Sequence, residues 1–479
     1  MMCVKKTFLK LIQPLVQYKA TSFLGEKHIA ETMERNLAKK LSKLKNCNIG
    51  KELGVASGTS IDDIPLTGYG FYHPFFVDPC EGDFMYPLND YFKTMTSGTM
   101  SKPKTYLVPR KGLRKIIMST GLSLIYISTF DGEKYGFNFG DTFYVNIPGG
   151  SFISNIASKE LARGSSDLIH VVPENRDNMS FQEKVDYFVE HHHEIDIVQM
   201  NITTLLDDIK PRVRDKIQLK AFLTMDASAM QLKERVYETV GSYPKTPYGS
   251  TESIASTIPS IEHPGGFFFD WRTIYPEFIP EEYSVSTQVT RIDVPPEIVK
   301  LNEVELGERY QLVITPFHTD LTRNVTSDIL ECISFRDSQL KVETPIFSFY
   351  SRADKLISLH NFTRINEDEI LCILEGSSVP FVDFTARREL DGSREYIRLY
   401  IEFNEDVDLS EVEESIHGSF MEFDKDYQDL TRMMEYSPLR ITRLPEGSFR
   451  NYLSKKEGMS RIARIDMRED RLKLLLSEL

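Results

Sequence analysis

From Asp141 to Val240 the chain alternates short β-branched and aromatic runs with amphipathic stretches, and this alternation restricts the fold more than any other feature. DTFYVNIPGG, DLIHVVP, IDIVQM and QLKAFLTM read as strands, with SNIASKELARG, FQEKVDYFVEHHH, ITTLLDDI and QLKERVYETV as helices between and after them. Strands joined by helical crossovers pair in parallel, because the crossover returns the chain to the edge from which it started. An α/β architecture follows. In such sheets ligands meet the loops beyond the C-terminal ends of the strands.

Upstream of the alternation, residues from about Phe8 to Leu44 carry Leu9, Ile12, Val16, Leu37, Leu41 and Leu44 at helical spacing, which predicts one or two amphipathic scaffold helices. Lys10, Gln13 and Pro14 interrupt the apolar run near the N-terminus, so a surface-packing helix is expected rather than an export signal. The stretch TSGTMSKPKTYLVP, residues 96–109, concentrates Thr96, Ser97, Gly98, Thr99 and Ser101 with Lys102 and Lys104. Small hydroxyl residues and a glycine let backbone N–H groups approach an anion closely, and lysine heads add charge, so this segment suits phosphate. A polar surface turn is the bland alternative. A second SGTS at Ser57–Ser60 has no following lysine, and Asp62 and Asp63 repel phosphate, so it reads as a turn. Lys111 to Phe130 is expected to form a helix behind the loop.

Beyond the alternation comes YGSTES. Tyr248 offers an aromatic face, Gly249, Ser250 and Thr251 offer phosphate donors, and Glu252 offers a carboxylate to a divalent cation; a capping box opening a helix explains the same residues. A β-rich stretch from Gly266 to Ile333 follows. In it Asp328 is expected behind a strand and a turn, where a lone carboxylate accepts from both ribose hydroxyls or simply caps the turn. Arg352-Ala353-Asp354-Lys355 reads as a charged break between domains 1–353 and 354–479, the second an α+β unit with a strand in YIRLYIEF and a helix in EVEESIHGSFMEF.

The 479 residues exceed what one core usually supports, and no apolar run reaches a membrane span. A net charge of −14 argues against a nucleic-acid surface, which needs clustered basic residues. Five scattered cysteines fit neither a disulfide framework nor a zinc site, pointing to a reducing cytoplasm. His191, His192 and His193 are consecutive, whereas metal ligands want spacing, so they are read as solvated.

Taken in order, TSGTMSKPK, YGSTE, TSD and SRADK resemble the core motifs of the adenylate-forming superfamily of acyl-CoA synthetases, peptide-synthetase adenylation domains and luciferases. Within it the chain is most similar to the auxin-conjugating acyl acid amido synthetases and their microbial relatives, through IDDIPLTGYGFYHPFF, LTRNVTSDIL, FYSRADKLISL and LPEGSFRNYLSKKEGMSRIARIDMRED. The resemblance implies a large N-terminal domain of layered sheets and helices, hinged at Asp354-Lys355 to a small mobile C-terminal domain. It implies ATP and Mg2+, an acyl-adenylate with pyrophosphate released, and attack by an amine, such as that of an amino acid, or by a thiol.

By the same resemblance Thr96, Ser97, Gly98, Thr99, Lys102 and Lys104 grip the phosphates, and Tyr248 through Thr251 line adenine and α-phosphate. Glu252 holds the metal, Asp328 binds the ribose hydroxyls, Arg352 meets ribose or phosphate, and Thr224 through Ala227 border adenine. Acid-pocket residues are expected in 143–160 and at Phe317 and His318. Four positions depart from the pattern: Ser101 and Ser327 stand where glycine is common, Thr322 stands where an aromatic is common, and Arg464 or a neighbour (Arg461, Lys455, Lys456) stands where a catalytic lysine is often found. Two rivals remain at this level, an acyl-CoA or carrier-protein ligase and a nucleotide binder without catalysis.

Overall fold

The computed structural model describes residues 2–95, 104–147, 153–164, 168–202, 204–226, 229–287, 290–353, 356–360, 363–377, 379–454, 462–467 and 469–476. The chain divides into two compact units, with the division along the chain after Ala353.

In the first unit the alternating segments form a five-stranded sheet in the order Ile169–Val172, Asp141–Val145, Ile197–Gln199, Ala221–Leu223, Pro244–Lys245, every pair parallel. Phe143, Ile197 and Leu223 are buried, and so are their chain neighbours Tyr144, Val198 and Phe222. Burial on both faces is what continuous apolar runs demand, and the covering helices supply it. The helix expected at ITTLLDDI is a single π turn, Thr204–Ile209. The helix expected from Lys111 to Phe130 is two α segments, Arg110–Ile116 and Leu122–Ser128, joined by a π segment, Ile117–Gly121. Within that wide turn the Thr120 hydroxyl donates to the buried Asp270 carboxylate at 2.7 Å, a polar tie that hydrophobic periodicity does not reveal.

A second, mixed sheet runs Thr257–Pro259, Gly266–Phe269, Ile346–Arg352, Asn324–Ser334, Arg309–Pro316, Ile274–Pro280, Val299–Lys300, with Leu66–Thr67 added in parallel at Asn324. Its apolar residues join the large core around Trp271, Phe278, Leu312 and Phe347. Asp328, expected behind a turn, lies inside the Asn324–Ser334 strand opposite Arg352. Three polar residues stay extended there because their partners are in reach: the Thr326 hydroxyl donates to the Leu312 carbonyl at 2.8 Å, the Gln311 amide donates to the Thr326 carbonyl at 2.8 Å, and Arg352 meets Ser327 and Asp328.

The helices Met2–Thr21 and Ile29–Leu44 match the expected N-terminal scaffold. Lys40 of the second is buried, and its ammonium donates to the carbonyls of Pro316 (2.7 Å), Thr319 (2.9 Å) and Leu321. It thereby fixes the loop between two central strands from a helix remote in sequence.

The second unit carries Phe381–Asp391 and Arg394–Phe403 as an antiparallel pair, with Leu439–Leu444 parallel to the latter. Helices Glu367–Gly376, Leu409–Phe423 and Lys425–Met434 contribute to its own core around Ile373, Leu399, Ile416, Phe420 and Leu430.

Candidate active site

Asp328 is the junction of the site in the first unit. The Tyr248 hydroxyl, from a residue 80 positions earlier, donates to its Oδ2 at 2.6 Å, and the Arg352 guanidinium, from the adjacent strand, pairs with Oδ1 at 2.9 Å. Arg352 also donates to the Ser327 hydroxyl, and the Ala353 N–H donates to the Ser327 carbonyl at 2.6 Å. Burial and the neighbouring carboxylate push the Tyr248 phenol well above its ordinary pKa, so it remains a donor. A carboxylate offers about four acceptor positions, so lone pairs beyond these two bonds are available to a vicinal diol.

Tyr248 is set by its surroundings. Its ring stacks on Phe267 with centroids 5.2 Å apart, and its backbone is clamped by Thr257, whose hydroxyl both accepts from the Tyr248 N–H (2.7 Å) and donates to its carbonyl (2.6 Å). The following residues form a tight β-hairpin, Gly249–Ser250 against Ile254–Ala255, in place of the helix start that a capping box would open. Ser250 and Ser253 hydrogen-bond across the turn at 3.0–3.1 Å. Gly249 is required sterically, since a Cβ there would sit 2.6 Å from the Ile254 carbonyl oxygen. Ile254 itself has φ 61°, a conformation a β-branched residue adopts only under constraint.

Thr251 and Glu252 lie in this turn, half-buried. Glu252 accepts the Tyr106 hydroxyl at 2.8 Å. Among the described residues no group of three or more metal-ligating side chains occurs, and His191 to His193 form none. A lone carboxylate fits Mg2+, which is commonly held by one or two carboxylates and by substrate phosphates. Lys104 lies 5.3 Å over the Tyr69 ring, and Tyr69 brackets the backbone of Thr105, accepting its N–H at 3.0 Å and donating to its carbonyl at 3.1 Å.

Other expected site residues stand differently. The Thr224 hydroxyl accepts the Asp226 N–H at 3.2 Å, and Asp226 accepts the Ile202 N–H at 2.5 Å, so Thr224 shapes the turn beyond the Ala221–Leu223 strand. Phe317 is packed into the large core. His318 is half-buried with its carbonyl against Gly112, and burial together with Lys115, Lys43 and Lys40 depresses its pKa to about 4. Arg464 belongs to the second unit, where it pairs with Asp383 at 2.8 Å and Glu367 at 3.5 Å and lies over the Phe384 ring. Thr96, Ser97, Gly98, Thr99, Lys102, Ala227, Asp354, Lys355, Lys455, Lys456 and Arg461 lie outside the described residues.

Sequence reasoning missed Tyr69, Tyr106 and Lys40. Tyr106 carried a signal, because it stands two residues after Lys104 at the start of a strand and so shares its face. Tyr69 lies in the IDDIPLTGYGFYHPFF stretch that carries the family resemblance but was given no role there, and Lys40 carried no signal.

Residues 267–352 match the GH3 family central domain, which is the mixed sheet bearing Asp328 and Arg352. Over 217 residues the chain is 29% identical to the indole-3-acetic acid-amido synthetase GH3.10 of Arabidopsis thaliana, covering 42% of this chain and 36% of the relative. Over 194 residues it is 27% identical to the jasmonoyl--L-amino acid synthetase GH3.5 of Oryza sativa subsp. japonica, covering 37% and 32%. The chain thus spans about a third of the length of the curated relatives it matches. The fold is similar to that of the AtGH3.15 acyl acid amido synthetase in complex with 2,4-DB (TM-score 0.53, 15% identity, 96% of each chain). It is also similar to a 2-hydroxyisobutyryl-CoA ligase in complex with 2-HIB-AMP and CoA (TM-score 0.58, 13% identity, 93% of this chain and 92% of the other). Across nearly its whole length the chain therefore shares the fold of these solved enzymes.

Proposed function

We propose that this protein is an ATP-dependent ligase that adenylates a small carboxylic acid and transfers the acyl group to an amine, that of an amino acid. The observation that carries the reading is the convergence of Tyr248 and Arg352 on the two oxygens of Asp328, on an inner strand of the sheet whose sequence matches the GH3 family central domain. One curated relative is named an indole-3-acetic acid-amido synthetase and the other a jasmonoyl--L-amino acid synthetase, and we extend that reaction class to this chain.

A carboxylate is a poor electrophile, and adenylation cures this. Its oxygen attacks the α-phosphorus, the bond to pyrophosphate breaks, and the acyl carbon gains AMP as leaving group. The amine nitrogen then attacks that carbon, the bond to AMP breaks, and a proton leaves the nitrogen. In this scheme Asp328 receives the ribose hydroxyls, and Tyr248 and Arg352 hold its carboxylate in place. The Gly249 to Thr251 hairpin faces adenine and the α-phosphate. Lys104 meets the phosphates, and Glu252 holds Mg2+, whose charge neutralises the phosphate oxygens when bound. Lys104 would act on charge carried by the departing pyrophosphate, the kind of preorganised stabilisation that dominates many active sites.

The test is acid-dependent exchange of labelled pyrophosphate into ATP across a panel of carboxylic acids. Exchange is expected with at least one acid, and Lys104→Ala should lower it by on the order of a hundredfold, typical of removing one preorganised donor. Silence over a broad panel sinks the reading. Incubation with amino acids or with CoA, followed by mass spectrometry, tells amide from thioester.

A further inference from the structure

Lys104 and Glu252 lie far apart in the chain, and two tyrosines connect them. Tyr69 opens the helix Tyr69–Val77, and Tyr106 lies in the strand Thr105–Pro109. The Tyr69 hydroxyl bonds to both backbone groups of Thr105, and its ring lies under the Lys104 ammonium. Next along the strand, Tyr106 is buried, with its ring 5.3 Å from Tyr69 and 5.6 Å from Phe76, and its hydroxyl donates to Glu252 Oε1 at 2.8 Å.

We propose that Tyr106 is a positioning residue for the Glu252 carboxylate, holding Oε1 so that Oε2 meets the divalent cation arriving with the triphosphate, while Tyr69 keeps Lys104 in matching register. The proposal rests on the ATP-dependent reading above. A glutamate has three side-chain torsions, and an unrestrained one must be ordered at the moment of binding. A ring locked between two aromatic neighbours removes much of that freedom beforehand. The chemistry of the donor matters as well. A phenol orients the carboxylate without cancelling its charge, whereas an ammonium at the same place would compete with the cation. Hydrogen-bonding partners of metal ligands act in this way, and removing one typically lowers metal affinity by roughly 10–100-fold.

The experiment follows Mn2+ binding to the full chain in the presence of ATP, through loss of the free Mn2+ signal in electron paramagnetic resonance. Tyr106→Phe should raise the Mn2+ concentration at half-saturation by roughly tenfold or more, leave the affinity for metal-free ATP unchanged, and keep the thermal midpoint near that of the parent. A double-mutant cycle with Glu252→Gln decides whether Tyr106 acts through Glu252: once Glu252 is Gln, the tyrosine substitution should have no further effect. Unchanged Mn2+ binding in Tyr106→Phe, or full additivity in the cycle, overturns the proposal, as does a wild-type chain that binds no Mn2+·ATP. Wild-type protein that binds Mn2+·ATP but exchanges no pyrophosphate instead overturns the adenylation reading, and the cycle still decides the role of Tyr106.

Discussion

At the scale of single residues, the buried polar groups are where this chain is most exposed to substitution. Lys40 is 1% exposed, and its ammonium serves three carbonyls of one loop. Burial pulls its pKa down to about 7, opposed by the Asp320 carboxylate, which in turn accepts from the Met85 N–H and the Tyr91 hydroxyl. Lys40→Met removes the ammonium, orphans the carbonyls and leaves Asp320 without its counter-charge, so a loss of about 3–5 kcal/mol is expected from urea unfolding. A loss below 1 kcal/mol would mean that water reaches the loop. His318 gives a pH prediction. Its folded pKa of about 4 lies below the ordinary 6.5, so as pH falls through 6.5 the unfolded chain takes up a proton that the folded chain refuses. Stability is therefore unaffected by this group above pH 6.5, is lost as pH falls towards 4, and changes no further below it, a total on the order of 3 kcal/mol. His318→Gln should flatten that part of the stability profile, and an unaltered slope between pH 6.5 and 4 would rule out His318 as its source.

At the scale of elements, the hairpin after Tyr248 combines a required glycine with a strained isoleucine. Gly249→Ala forces a Cβ into the Ile254 carbonyl, so the two short strands must separate, at a cost of about 1–3 kcal/mol. Because Tyr248 precedes the pair and Glu252 lies in its turn, calorimetric ATP affinity should fall with stability; unchanged affinity would place the nucleotide elsewhere. This hairpin also shows what the amino acids alone disclosed. Tyr248, Gly249, Ser250 and Glu252 were legible as a group because phosphate and metal chemistry needs those residue types together. Their conformation was not, because Ser-x-x-Ser and Ser-x-Glu spacings satisfy a helix cap and a hairpin turn alike. The parallel sheet was legible from Phe143, Ile197 and Phe222, whose runs are apolar on both faces. Asp328 was expected behind a turn because its partners, Tyr248 and Arg352, are distant in sequence. Lys40, and the bonds though not the presence of Tyr69, stayed hidden for the same reason: those bonds run to backbone groups some 280 and 36 positions away.

At the scale of the whole molecule, the candidate site residues are divided between two units that each own a core. Lys104, Tyr248, Glu252, Asp328 and Arg352 belong to the first, whereas Arg464 belongs to the second and is held there by Asp383 and Glu367. We propose that nucleotide affinity resides in the first unit and that the second contributes to turnover. Calorimetric melting of the full chain should then show two transitions, since separate cores of this kind unfold as separate cooperative blocks. ATP at a hundred times its Kd adds about 2.7 kcal/mol to whichever block binds it, so only the transition of the larger, first unit should move upward. Arg464→Ala complements this in the intact protein. It should leave the ATP-induced shift in place while slowing pyrophosphate exchange, because a lost cation that acts on developing charge lowers rate rather than affinity. Should ATP raise the smaller transition, or should Arg464→Ala abolish the shift while exchange continues at the parental rate, the division of labour between the units is the reverse of the one proposed.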